Sequence, residues 1–309
     1  MLNVFFALAV IAGVGASLHR LIPDLDIDST RRQCGRLVLN VLLPALNIEV
    51  LYKSTASSNL WQVPLAMLLG ILICLATAML VFRFFALDRK LKSALLLGCA
   101  FGNVTYLGMP LLQGLFPDQL LQVTEIAILC EISVTSADLI TGSLLATFYI
   151  EGERSSLAAA LRQVLMFPLL WSAAVALTLR ALSIPLPAFL LMALHILGQS
   201  TSGLMLLILG MALKPDVLKG ALARLKSWWP LLLIKLVLSP IVVGFVGALI
   251  GLSGLNLHAV TLEAAMPPQL FALIVADRFG FDTETLAGAA AFMIVLSLAT
   301  TAVVHRLMP

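Results

Sequence analysis

The chain has 309 residues, of which 61% are hydrophobic and only 11% are charged. Soluble domains carry about 25% charged residues, so this composition excludes an ordinary soluble protein and predicts a polytopic membrane protein. The formal net charge of +3 is too small to indicate binding to nucleic acid. The four cysteines contain no C-x-x-C pair. They are therefore expected to be small buried side chains, and no metal centre is predicted.

Ten apolar runs are each long enough to cross a membrane. A bilayer core about 30 Å thick requires roughly 20 residues of helix. We therefore predict an all-α fold with ten transmembrane spans joined by short links. In chain order, the predicted spans are 2–20, 35–53, 62–85, 92–115, 122–150, 160–181, 188–213, 229–252, 257–280 and 284–306.

The basic residues are divided unequally between the two sides of these spans. If the N-terminus is outside, the inward links and their flanks hold 15 of the 19 Lys and Arg residues, Arg154, Lys214 and Lys219 among them. The outward links and tail hold three. Cytoplasmic links of membrane proteins are enriched in Lys and Arg. The pattern predicts a multi-pass protein of the cell inner (plasma) membrane with both termini outside, on the periplasmic side.

The two halves of the chain resemble each other in the placement of their prolines. A shift of 158 residues carries Pro110 in the fourth span onto Pro268 in the ninth. Because five spans are an odd number, a second copy of five must be inserted upside down. We therefore predict two inverted five-helix repeats, 1–151 and 159–309, an arrangement found in alternating-access transporters.

The fourth and ninth spans both contain residues that interrupt a helix. In GNVTYLGMPLLQG (102–114), Pro110 cannot donate a main-chain hydrogen bond, and Gly102 and Gly108 let the backbone leave helical geometry. The ninth span has Pro267 and Pro268 in LEAAMPPQLFALI. Both spans are predicted to be broken and to cross at the membrane midplane. The alternative is a pair of ordinary proline kinks between packed helices.

A break of this kind has a chemical consequence, since the N-terminus of each half-helix presents N–H groups and a partial positive charge. Two such ends together would hold a carboxylate, with added hydrogen bonds from Asn103, Thr105 and Gln269. The sequence therefore predicts a small organic anion bound at the crossing. The candidate substrate-binding residues there are Asn103, Thr105, Gly108, Pro110, Pro267, Pro268 and Gln269.

Ionisable residues inside spans are costly in a membrane and are therefore candidates for function. In the fifth span, Glu131, Thr135 and Asp138 share one helix face because they are spaced i, i+4 and i+7. Glu263 lies one turn before the break in the ninth span. Glu131, Asp138 and Glu263 are candidates for coupling to H⁺ or Na⁺. Alternatively, these carboxylates are satisfied by hydrogen bonds, or one of them pairs with Lys235 in the eighth span.

Two further spans carry polar residues in their interiors. In the seventh span, Ser200 and Thr201 in GQSTSGLM either line the substrate pocket or allow close helix packing. In the second span, Asn40, Pro44 and Asn47 share a face and are scaffold-side candidates, with a structural role as the alternative.

The stretch GNVTYLGMPLL resembles the fourth-helix signature of the auxin efflux carrier family, G-N-x-x-x-L-G-x-P. AAMPP followed by ADRFGFD is similar to the ninth helix of that family. The resemblance covers the whole chain and is to the short prokaryotic members. By this resemblance, the Asn, Gly and Pro of the family motif correspond to Asn103, Gly108 and Pro110. The proline of the family's ninth helix corresponds to Pro267 or Pro268.

The resemblance implies a fold shared with plant auxin exporters and bile acid sodium symporters. Helices 1, 2, 6 and 7 (2–20, 35–53, 160–181 and 188–213) would form a scaffold. Helices 3–5 and 8–10 (62–150 and 229–306) would form a transport domain in which helices 4 and 9 cross. The resemblance also implies organic-anion substrates, elevator-type motion and a homodimer in the lipid bilayer.

The leading hypothesis is a secondary transporter for small organic anions, driven by H⁺, by Na⁺ or by the substrate gradient alone. The alternative is a passive channel or a substrate sensor with the same fold. An intramembrane enzyme is a remote alternative, because the chain has neither a G-x-S-x-G nor an H-E-x-x-H motif. No cofactor is expected. The identity of the substrate and the direction of transport are left open.

Overall fold

The computed structural model describes residues 2–54, 60–149, 157–213, 220 and 223–308 of the chain. Within these ranges every regular element is a helix and no strand is formed, which confirms the all-α prediction. The basic residues Arg154, Lys214 and Lys219 of the charge count lie outside the described residues. So do residues 150 and 151, where the fifth span and the first repeat were predicted to end, and the terminal residues 1 and 309.

The described α-helices vary in length from seven to thirty residues. In chain order they are α1 (Leu2–Leu21), α2 (Ile27–Leu37), α3 (Leu43–Lys53), α4 (Gln62–Phe82), α5 (Arg89–Ala100), α6 (Met109–Leu115), α7 (Leu120–Tyr149), α8 (Leu157–Leu165), α9 (Pro168–Ala181), α10 (Ala188–Ala212), α11 (Leu225–Leu233), α12 (Ser239–Leu249), α13 (Gly254–Ala264), α14 (Leu270–Arg278) and α15 (Thr283–Leu307).

Each of three π-helical turns ends two residues before a proline. A proline has no N–H to donate, and its ring collides with the carbonyl four residues earlier. A π-turn widens the helix there, and such insertions are a known way for a helix to accommodate a defect. The turns and their prolines are Val38–Leu42 before Pro44, Val104–Gly108 before Pro110, and Ile234–Leu238 before Pro240.

Within the described residues, six continuous helical stretches are long and apolar enough to cross a membrane. Two of them, Ile27–Lys53 and Leu225–Leu249, each consist of two of these α-helices joined by a π-turn. A seventh is obtained if Leu157–Leu165 and Pro168–Ala181 form one span. These findings support a multi-pass membrane protein. Three predicted spans are not in that set: 122–150, which matches α7, and 92–115 and 257–280, each of which is divided into two helices. The count of ten spans therefore stays a prediction.

The chain forms two compact units, each built from three segments. The first comprises Met1–Ser58, Thr105–Ile128 and Leu165–Leu213, and the second comprises Asn59–Val104, Leu129–Val164 and Lys214–Pro309. In the first unit, α10 packs against α1, α2, α3 and α6, while α9 packs against α3. In the second unit, α12 packs against α4 and α13, and α15 packs against α5, α13 and α14.

In the first unit, α1 and α10 approach until their main chains are in contact. A Cβ atom at Gly15 would overlap the carbonyl oxygen of Leu207, and one at Gly210 would overlap that of Ala12. Small residues permit this approach in membranes, where helices associate through close van der Waals packing. The α1–α10 contact therefore depends on the absence of a side chain at both glycines.

Gly210→Ala is expected to lower the melting temperature of the purified protein in detergent by several degrees, because overpacking a close contact costs about 1–3 kcal/mol. Gly203→Ala, in the same helix, is the matched control, since no neighbouring atom lies within 4 Å of a Cβ at that position. Alanine favours a helix over glycine by about 1 kcal/mol, so the control should melt at the wild-type temperature or above it. Equal melting temperatures for the two variants would contradict the contact.

Candidate functional site

Two short non-helical segments lie in the second unit. The first follows α5, which ends at Ala100, and its residue Phe101 has an extended backbone (φ −108°, ψ 120°). The second separates α13, which ends at Ala264, from α14, which begins at Leu270. Both segments are buried, so their main-chain polar groups need partners within the protein.

The two segments supply those partners to each other. The main-chain N–H of Asn103 donates to the carbonyl of Pro267 at 2.7 Å, and the N–H of Gln269 donates to the carbonyl of Phe101 at 3.1 Å. Gly102 and Pro268 form an isolated antiparallel bridge between these bonds. We call the paired residues, 101–103 and 267–269, the crossing. The amides of Asn103 and Gln269 are therefore already used and are not available to an anion.

The crossing uses only the beginning of the stretch in which the sequence placed the interruption of the fourth span. Pro110, expected to break that span, lies at the start of α6 and is accommodated by the π-turn Val104–Gly108. The non-helical residues come earlier, at Phe101–Asn103. Gly102, one of the two glycines expected to interrupt the span, pairs with Pro268.

Lys235 lies beside the crossing, with its side chain 2% exposed. Its Nζ donates to the carbonyl of Ala264 at 3.1 Å and to the hydroxyl of Ser239 at 3.2 Å. The Ser239 hydroxyl donates to the same carbonyl at 2.9 Å. Ala264 would normally accept from residue 268, but Pro268 has no N–H. Lys235 and Ser239 replace that missing donor.

Lys235 therefore has a different partner from the carboxylate considered in the sequence analysis. Among the residues that the structure describes, no carboxylate lies within ion-pair distance of its amine. A cation at a helix C-terminus is stabilised by the helix dipole, and the position at the end of α13 has this geometry. Sequence reasoning missed Ser239, although its i, i+4 spacing from Lys235 places both on one helix face.

The predicted polar face of α7 is buried in the second unit. Thr135 donates from its hydroxyl to Glu131 Oε1 at 2.6 Å, and both residues are at most 3% exposed. Asp138 Oδ2 accepts from Gln269 Nε2 at 2.6 Å. Gln269, predicted to contact substrate, thus connects the crossing to α7 through its side chain.

Two buried carboxyl groups near the crossing retain unused hydrogen-bonding capacity. Asp138 and Glu263 are both fully buried. Asp138 Oδ1 and both carboxyl oxygens of Glu263 have no hydrogen-bond partner. Glu263 lies within electrostatic range of Glu131 and Lys235. A buried polar atom without a partner in a native structure requires an explanation, such as a bound ligand, ion or proton.

The remaining candidates lie in the first unit. Thr105, Gly108 and Pro110 are all buried, in the π-turn and the first turn of α6. Ser200 is exposed and donates to the carbonyl of Ile196 at 3.1 Å, whereas Thr201 is fully buried.

The scaffold-side candidates of the second span have different environments. Asn47 Nδ2 donates to the Leu169 carbonyl at 2.9 Å and to the Ser172 hydroxyl at 2.7 Å, which joins α3 to α9. Asn40 is exposed and donates to the carbonyl of Arg36, 2.7 Å away in the same helix. Pro44 begins α3 after its π-turn.

Sequence reasoning also missed a series of side-chain hydrogen bonds in the first unit. Ser202 donates from its hydroxyl to Gln113 Oε1 at 2.6 Å, and Gln113 Nε2 donates to the Thr124 hydroxyl at 3.0 Å. These bonds connect α10, α6 and α7. Ser202 stands in the same GQSTSGLM stretch as Ser200 and Thr201, but spacing alone could not identify its partner on another span.

An all-helical chain with several membrane-length apolar helices and buried non-helical segments is a multi-pass membrane protein. The model of the family described as "Membrane transport protein" matches residues 1–150 and 151–305, so the chain belongs to that family. This confirms the resemblance to the auxin efflux carrier family. The chain is therefore a membrane transporter rather than an enzyme.

Two archaeal proteins are similar over most of their lengths. An uncharacterized transporter of Methanocaldococcus jannaschii is 23% identical over 262 residues, which is 82% of this chain and 82% of that protein. An uncharacterized transporter of Methanothermobacter thermautotrophicus is 25% identical over 269 residues, covering 85% of this chain and 84% of that protein.

The Asp138–Gln269 bond can be tested with a double-mutant cycle. Asp138→Leu should destabilise the protein by about 1–3 kcal/mol, because it leaves the buried amide of Gln269 without an acceptor. Asp138→Asn retains an acceptor oxygen and should cost less. Adding Gln269→Leu to Asp138→Leu should recover part of the loss. The measurement is thermal unfolding in detergent, and strictly additive effects would show that the two side chains are not coupled.

Proposed function

We propose that the chain is a secondary transporter that moves small organic anions, carboxylates above all, across the inner membrane by elevator-type alternating access. The observation that carries the proposal is the crossing, in which two buried non-helical segments pair through main-chain hydrogen bonds. Irregular backbone at membrane depth is tolerated only when it is buried in protein or lines a cavity, and in transporters it forms the substrate site. Membership of a membrane transport family supports this assignment.

The proposed architecture has ten spans in two inverted repeats, with the fourth and ninth spans broken at the crossing. Helices 1, 2, 6 and 7 form the scaffold and the other six form the transport domain. The unequal distribution of Lys and Arg supports two outward termini. A homodimer in the bilayer completes the proposed assembly.

Side chains rather than main-chain amides would distinguish one anion from another at this site, since the amides of Asn103 and Gln269 are bonded within the crossing. Asn103 is the first candidate, because its side chain is 1% exposed and belongs to the crossing itself. Glu131, Asp138 and Glu263 are the candidates for cation coupling. Unpaired carboxyl oxygens on Asp138 and Glu263 support an exchangeable proton there.

The substrate class is tested by a thermal-shift screen of the purified protein against small organic acids at two pH values. A stabilising acid should lose roughly tenfold to hundredfold in affinity on Asn103→Ala, since a hydrogen bond to a charged group contributes about 1.5–3 kcal/mol. Asn3→Ala, at an exposed position of α1, is the matched control and should bind normally. Unchanged affinity in Asn103→Ala would count against a substrate at the crossing.

Uptake of the stabilising acid into liposomes then separates a transporter from a channel or a sensor. A transporter should saturate and should exchange external for internal substrate. A passive channel would do neither at low concentration, and a sensor would bind without uptake.

The elevator motion can be tested at the contact of α6 with α1, which lie in one compact unit here but belong to the transport domain and the scaffold of the proposed architecture. A Cβ at Gly114 would lie 3.6 Å from the Cβ of Val4, within the range of about 3.5–4.5 Å that a disulfide requires. We expect the variant Val4→Cys/Gly114→Cys, with Cys34 replaced by Ser, to lose substrate exchange when oxidation forms the disulfide. Substrate exchange should return when the disulfide is reduced. Each single cysteine variant is the control. Full exchange by the cross-linked protein would contradict sliding at this contact.

A further inference from the structure

Lys235 places a buried positive charge at the broken end of α13. Its amine is bonded to two oxygen atoms, the carbonyl of Ala264 and the hydroxyl of Ser239. The carbonyl is available because Pro268 cannot donate to it. The ammonium is thus held by two oxygen ligands at the end of an interrupted helix.

This is the kind of position at which broken-helix transporters hold a mobile coupling cation. Such cations bind to main-chain carbonyls at the C-terminal ends of half-helices, and hard cations prefer oxygen ligands. Glu263 supplies a nearby carboxyl group that would balance the charge of a cation at this position. It is fully buried, neither of its carboxyl oxygens has a hydrogen-bond partner, and Lys235 lies within electrostatic range.

The crossing is shaped around this amine. A Cβ at Gly102 would lie 3.0 Å from Lys235 Nζ and 3.1 Å from its Cε. Such distances are tighter than ordinary packing, so a side chain at residue 102 would displace the lysine. The absence of a side chain at Gly102 therefore permits the close approach of the ammonium.

We propose that the Lys235 ammonium is a built-in cation that occupies the site where a mobile coupling ion would bind, so that this transporter works without sodium. The inference rests on the proposed transport function. It excludes Na⁺ as the coupling ion of that function. Removing the amine should convert the site into a vacant sodium site whose ligands include the Ala264 carbonyl and the Ser239 hydroxyl, with the Glu263 carboxylate nearby to balance the charge of the ion.

The first measurement uses the wild-type protein and sodium alone. Purified protein is melted in detergent in sodium chloride and in choline chloride of equal ionic strength, with no organic acid present. We expect the same melting temperature in both salts. A sodium-specific rise in the wild type would overturn the inference, because it would reveal a mobile-ion site that Lys235 does not occupy.

The second measurement uses Lys235→Ala, which removes the amine and leaves space. Its melting temperature should fall, and sodium but not choline should then raise it by roughly 2–4 °C, the shift expected for about 1 kcal/mol of ligand stabilisation. Lys235→Met is the matched control, since it fills the space of the lysine stem without a charge. It should be destabilised and should not respond to sodium.

A third variant tests the ligands. Lys235→Ala/Ser239→Ala lacks one of the proposed oxygen ligands and should lose the sodium response. The inference is wrong if folded Lys235→Ala does not respond to sodium, or if Lys235→Met responds equally. If Lys235→Ala does not fold, the wild-type comparison still decides the outcome. None of these measurements involves an organic acid, so a failure here is distinguishable from a failure to bind or transport the proposed substrate.

Discussion

Main-chain N–H and C=O groups inside a bilayer have no water to bond to, and leaving one unpaired costs several kcal/mol. This constraint explains the arrangement of the second unit. Pro267 and Pro268 remove two donors from the ninth span, and the non-helical residues after α5 leave further groups without helical partners. The structure satisfies them by antiparallel pairing at the crossing and by the side chains of Lys235 and Ser239 at the carbonyl of Ala264.

Because main-chain groups at the crossing are hydrogen-bonded to each other, fewer groups are left to bind a ligand or a proton. The crossing uses the amides of Asn103 and Gln269, and the Gln269 side chain is bonded to Asp138. Among the described carboxyl groups near the crossing, one oxygen of Asp138 and both oxygens of Glu263 retain hydrogen-bonding capacity. Three buried carboxyls and a single amine cannot all be charged at once in a membrane interior. The charge on each of these groups therefore depends on the charge of the others.

The sequence predicted the helical class, the family and the buried polar face of α7, because each depends on composition, a motif or spacing along one helix. For the fourth span it offered three interrupting residues, Gly102, Gly108 and Pro110, without deciding among them. Pro110 is the obvious helix breaker, but a π-turn accommodates it, and Gly102 makes the crossing instead. The sequence also did not predict hydrogen bonds between residues that are far apart in the chain. Nothing in the spacing indicated that Lys235 would bond to Ala264 or that Ser202 would bond to Gln113.

The contacts at the crossing also bear on how the second unit holds together. Helices in lipid gain little from the hydrophobic effect on association and depend on packing and polar contacts. The bridge between Gly102 and Pro268 joins the residues after α5 to those before α14. Lys235 and Ser239 join the helix that contains them to the end of α13. The fourth, eighth and ninth spans are thereby tied at one point by polar bonds that would be costly to break. Separating the residues after α5 from those before α14 would therefore require these bonds to be broken.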